Sequence, residues 1–150
     1  MKRTFSVVVA LVVSLICLSV VKAGVVSVKV RMTAGPQDTP STTFASNTPK
    51  LYAIFKTEGA KAGDKIRGVL IAEDVGDVAP ANTKVLETIL EMDGDTETGD
   101  FTFSKPTNGW PVGKYRLKIY VNDELATTAN FTIKAAEKKS ADQEEEESGD

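Results

Sequence analysis

The 150-residue chain has no histidine, one cysteine and one tryptophan. Without histidine there is no Ser-His or Cys-His nucleophile, none of the usual zinc ligand sets, and not the most common general base. Cys17 lies in the apolar N-terminal run, so a chain that loses that run has neither a disulfide nor thiolate chemistry. No Ser-x-x-Lys occurs after residue 23, and Gly63 and Gly68 stand at a spacing unrelated to a phosphate-cradling loop. A glycosidase pair drawn from Glu73 or Asp74 and the 93–100 loop would need one buried acid with a raised pKa, which no pattern here suggests. These absences exclude the common catalytic designs, and no enzyme is expected.

The two ends differ from the middle. Lys2 and Arg3 precede an uncharged run from Phe5 to Val21, closed by Val21-Lys22-Ala23. A basic start, an apolar stretch and small or aliphatic residues before a break are the parts of a secretory signal peptide, so residues 1–23 are expected to be removed and Gly24 to become the first residue. An uncleaved anchor is the competing reading, because the run approaches bilayer-spanning length. Bulky Ile16 argues against lipid modification of Cys17. Residues 135–150 carry Asp142, Glu144, Glu145, Glu146, Glu147 and Asp150 with little that is apolar, which predicts a solvated, disordered acidic tail. With both ends set aside, the remainder is close to neutral. Nucleic-acid binding is not expected of an exported chain whose net charge is −3.

Between the ends lies strand grammar. Val26, Val28 and Val30 alternate with Ser27, Lys29 and Arg31, a half-buried strand over Val25 to Met32. A connection rich in Pro, Ser and Thr follows to Lys50, so residues 24–50 read as one strand and a loop, with 24–33 able to pair as a first strand of the 51–134 core. Further strands are predicted over Leu51 to Lys56, Lys65 to Glu73, Val85 to Met92 and Asp100 to Ser104. Val85 to Met92 also fits a helical spacing, and its strand neighbours decide for a strand. Tyr115, Leu117, Ile119 and Val121 face one way while Lys114, Arg116, Lys118 and Tyr120 face the other. Asn122-Asp123 then turns the chain into a last strand, Leu125 to Lys134. About seven strands at this spacing predict an all-β fold, an antiparallel sandwich.

Trp110-Pro111-Val112-Gly113-Lys114-Tyr115, the alternating strand, the Asn122-Asp123 turn and the closing Phe131-Thr132-Ile133 resemble the last hairpin of bacterial secreted immunoglobulin-like or fibronectin type III-like β-sandwich modules. The resemblance covers roughly Thr42 to Lys134. It implies an immunoglobulin-like sandwich and a structural role for Tyr115, whose hydroxyl would bond back to upstream backbone as a tyrosine corner. Such sandwiches host many functions, so a function must be argued from sites.

Two constellations are candidates. Trp110 with the stripe Lys114, Arg116, Lys118 and Tyr120 is a binding surface for a protein or glycan partner, against the plainer readings of a plug and a solvated face. Asp93, Asp95, Glu97 and Asp100 are the ligand type calcium prefers, although Thr98 and Ser104 stand where an EF-hand needs glycine and glutamate. No other cofactor is expected. The expected function is a non-catalytic periplasmic or extracellular binding or assembly module that uses loops or a strand edge. The alternative is a structural accessory subunit of the envelope, contacting membrane only if residues 1–23 persist. Mass spectrometry of the exported protein should find Gly24 at the N-terminus, and an intact Met1 would refute processing.

Overall fold

The computed structural model describes residues 25–94 and 98–137. The proposed signal segment, Asp95, Glu97 and the tail beyond 137 lie outside the described residues. Eight strands follow in chain order: β1 (Ser27–Thr33), β2 (Thr43–Ala45), β3 (Lys50–Glu58), β4 (Lys65–Asp74), β5 (Thr83–Glu91), β6 (Thr98–Ser104), β7 (Gly113–Val121) and β8 (Glu124–Lys134). A short 3₁₀ turn, Gly76–Val78, separates β4 from β5. One sheet has the order β1-β3-β6 and the other β2-β8-β7-β4-β5. Neighbours run antiparallel except β2, which lies parallel to β8.

Alternation builds the core between these two layers. In β3, Leu51, Ala53 and Phe55 point inward, and in β7 Tyr115, Leu117, Ile119 and Val121 do so, each set two residues apart as pleating requires. Phe55 and Phe101 meet with ring centroids 5.0 Å apart. Each ring lies over a glycine: a Cβ on Gly99 would come within 2.5 Å of Phe55, and one on Gly68 within 2.8 Å of Phe101. Large residues therefore interdigitate with absent side chains, which is how a thin sandwich reaches close packing.

The connection after β1 contains more order than a loop of prolines suggests. Thr43–Ala45 adds to the larger sheet through Thr43↔Thr132, Phe44↔Ile133 and Ala45↔Lys134. Phe44 is buried edge-on against Phe131, at 5.8 Å between ring centroids. Three residues are too few to show a period, which is why this strand was not predicted.

Two turns fix the register of the larger sheet. Asn122 and Asp123 both adopt positive φ, 47° and 70°, the backbone of a tight hairpin turn whose twist matches its strands. Asn122 also ties that turn to β4: its Oδ1 accepts from the Lys65 amide at 2.9 Å, and its Nδ2 donates to Asp64 Oδ1 at 2.8 Å. At the other end, β4 shifts register between Ala72 and Asp74 opposite the start of β7. There Gly113 has φ +152°, and a Cβ on it would lie 2.1 Å from the Asp74 carbonyl oxygen. Gly113→Ala should therefore destabilise the domain by more than about 1 kcal/mol, read as a lower urea midpoint at unchanged slope. An unchanged midpoint would show that β4 and β7 can separate locally without cost.

Candidate functional site

Inward and outward residues of β7 have separate roles. Tyr115 is 2% exposed, and its ring stacks on Phe131 at 5.4 Å. Its hydroxyl donates to the Pro111 carbonyl, four residues upstream, at 2.8 Å. This is the geometry of a tyrosine corner, which pins the chain entering β7 to the sheet. Burial pushes its pKa up to about 12.

Trp110, offered above as a partner contact, requires correction. It is 4% exposed, and its indole N–H donates to the Thr48 carbonyl at 2.9 Å. Its amide also donates to the Ser46 carbonyl at 2.9 Å. A buried indole with its one donor satisfied is a plug that closes the sandwich end on the β2–β3 connection. It presents no face to a ligand.

Lys114, Arg116, Lys118 and Tyr120 do share the outer face of the larger sheet, and two of them, Arg116 and Tyr120, are engaged by neighbours. Arg116 lies 3.8 Å from Glu73 and donates to the Asn82 side-chain oxygen. Tyr120 is covered by the Arg67 guanidinium, 4.3 Å from the ring centroid. Arg67 in turn lies 3.3 Å from Asp123 and 3.7 Å from Glu87. Lys84 completes the chain of charges, donating to Glu87 at 3.0 Å. That hydrogen bond, with the Lys84 charge behind it and a further contribution from Arg67, holds the Glu87 carboxyl below its ordinary pKa. The face also carries a shallow hollow of about 470 Å³ bounded by Thr43, Lys114, Asn130 and Thr132. A second groove, about 600 Å³, follows the seam between β1 and β8, past Val30, Met32, Thr128 and Ala129.

Of the calcium candidates, Asp93 lies just after β5 and Asp100 within β6, where its carboxylate accepts from Thr102 Oγ1 at 3.1 Å. Among the described residues no three acidic, histidine or cysteine side chains converge as a metal site. Asp95 and Glu97 lie outside the described residues.

The strand predicted over Val85 to Met92 is present as β5, and what sequence reading missed is its exposure. β5 pairs with β4 and ends the larger sheet, so its outer edge has no strand partner among the described residues. Its register places Leu86, Thr88 and Leu90 on the inner side, opposite Leu70, Gly68 and Ile66, and Glu87 and Ile89 on the outer side. The smaller sheet does not reach across to cover them. Val85 is 44% exposed, Leu86 43%, Ile89 59% and Leu90 39%. The signal was present in VLETIL, where adjacent apolar pairs put hydrophobic side chains on both faces of one strand.

No family model and no curated protein matches the sequence. Solved structures do. An immunoglobulin-like protein of Pseudomonas aeruginosa superposes with a TM-score of 0.52 at 14% identity, covering 73% of this chain and 91% of the other. The fold is immunoglobulin-like. Similarity extends more weakly to part of a Pseudomonas fluorescens alkylpurine DNA glycosylase, with a TM-score of 0.47, 16% identity, and 74% of this chain against 31% of that one. A Bifidobacterium adolescentis β-glucosidase gives 0.38 at 13% identity, over 79% of this chain and 19% of the enzyme. Within the immunoglobulin-like domain the corner makes Tyr115→Phe a direct probe. Removing the hydroxyl leaves the Pro111 carbonyl unpaired and should cost about 1 kcal/mol or more at neutral pH. Because folding raises this pKa, the Tyr115 contribution is complete below pH about 10 and is lost as pH climbs through about 12. Denaturation midpoints across that window should fall for the parent and fall less for the variant. Equal slopes would mean that the ring titrates unperturbed.

Proposed function

We propose that this chain is a non-catalytic, exported binding or assembly module, fibronectin type III-like within its immunoglobulin-like class, that holds a protein partner along the open edge of β5. The observation that carries this reading is the exposure of Val85, Leu86, Ile89 and Leu90 on a strand whose outer edge has no partner among the described residues. Apolar clusters of that kind mark interaction surfaces, and a bare edge offers main-chain donors and acceptors to an extended segment. A polypeptide can use both features. A glycan is the weaker candidate, since Trp110 is buried and Tyr120 lies under Arg67, which leaves the outer face of the larger sheet without an open aromatic platform. The periplasm or exterior is the proposed location, on the strength of the Lys2-Arg3 start, the apolar run and Ala23. The reading invokes no cofactor.

Ile89→Lys tests it. The side chain is exposed but lies opposite Arg67, so the added charge should lower stability by no more than about 1 kcal/mol and leave the domain folded. Partner capture from an envelope extract, compared between parent and variant, should be lost. Equal capture by both would move the binding surface elsewhere on the domain.

A further inference from the structure

We infer that the occupant of the β5 edge is a second copy of this chain, joined antiparallel about a two-fold axis through Thr88. The inference rests on the reading of β5 as the binding edge, and it adds the partner and the register.

Among the sheet edges, β5 has the least protection against pairing. The exposed Lys29 and Arg31 flank the free side of β1, β2 has three residues, and β6 is followed at once by Lys105 and Pro106. Such charges, short strands and prolines are the usual means of keeping edges apart. From Leu86 to Leu90 there is no lysine, arginine or proline. The bulge between Leu70 and Ile71 leaves Val85 as the extra residue on β5, near the strand's start and away from this segment.

The side chains then choose a register. When a strand pairs with its own copy, directly opposed residues must lie on the same face, so the axis passes through a residue and each choice can be compared. Centred on Glu87, the two Glu87 side chains oppose each other. Centred on Ile89, Glu87 of each copy opposes Glu91 of the other; centred on Leu90, Glu87 opposes Asp93; and centred on Leu86, the Val85 bulge of both copies falls beside the axis and interrupts the ladder. Like charges directly opposite are destabilising. Centred on Thr88, Leu86 of each copy meets Leu90 of the other on the inner face, and Glu87 meets Ile89 on the outer face. The bulge also turns Lys84 to the outer face, beside Glu91 of the second copy. This register pairs leucine with leucine twice, opposes no two acids directly and brings opposite charges together at both ends. Its outcome is a continuous ten-stranded sheet, two copies of the five-stranded order. A specific interface usually covers about 800 Å² on each partner, and a single nine-residue strand covers less. The association is therefore weak and grows with concentration.

The test uses the full chain carrying Cys17→Ser, so that an introduced thiol is alone. Sedimentation equilibrium over a concentration series should show a monomer–dimer equilibrium, lost in Leu86→Lys and recovered when Leu90→Glu is added to it. Under copper-phenanthroline oxidation Thr88→Cys should form a covalent dimer, because its two copies face each other across the axis, and Leu90→Cys should not. Circular dichroism identical to the parent establishes that each variant is folded. A monomer at every concentration with no Thr88→Cys crosslink overturns the inference, as does crosslinking through Leu90→Cys as readily as through Thr88→Cys. A monomeric chain whose envelope partner is still lost in Ile89→Lys overturns the second copy alone and leaves the β5 edge as the binding surface. A monomeric chain whose capture is indifferent to Ile89→Lys overturns both.

Discussion

The Phe101 ring, packed beside Phe55 on the smaller sheet, sits directly over Gly68 of the larger one and sets how closely the two sheets approach, and much else follows from it. Both rings enter the gap from the smaller sheet and need space that only the absence of a side chain supplies, at Gly99 and Gly68. Gly68 belongs to β4, so the contact fixes which residues of β4 face inward. From there the pleat dictates the rest: Ile66 and Leu70 join the core, and Arg67, Val69 and Ile71 go to the far face. The charged lattice on that face, Arg67 with Tyr120, Glu87 and Asp123, is thus positioned by two phenyl rings on the opposite side of the sheet.

On the same face Arg116 is held by Glu73 and Asn82, so the basic stripe on β7 is less basic in three dimensions than in sequence. Long side chains lie flat across the sheet and cover its apolar residues, so Val69 is buried although it points outward. Charges that hold one another in this way shape a surface more than they attract ligands. The contrast with β5 is one of coverage. It lies beyond the reach of the three-stranded sheet, and its leucines have neither a facing layer nor a lattice above them.

The parts of this fold that were legible in the sequence are those whose signal repeats. β7 alternates over nine residues, β8 follows a two-residue turn whose type Asn-Asp favours, and Tyr115 stands at the right offset from Pro111 for a corner. What was illegible depended on distant partners. β2 exists because Phe131 and Ile133 await it on β8, and nothing within three residues announces that. Trp110 looked like a contact residue because it stands beside a turn, and it is buried because a carbonyl at Thr48, far away in the chain, accepts its indole proton. VLETIL announces apolar side chains on both faces of β5, but that its inner face is left uncovered follows from the strand count of the opposing sheet, which lies outside any local pattern.

The position of β8 has a kinetic meaning. It is the last strand made, yet it lies between β7 and β2 rather than at the margin of its sheet. Until residues 124–134 are present, β7 is itself an edge, Tyr115 lacks the ring it stacks on, and Phe44 has nothing to pack against. Joining β2 to β8 closes a loop that spans most of the described chain, and contacts of such separation form slowly. A growing chain of this sequence therefore cannot complete the described core piece by piece from the N-terminus. It stays uncommitted until its final strand arrives, and then closes as a unit.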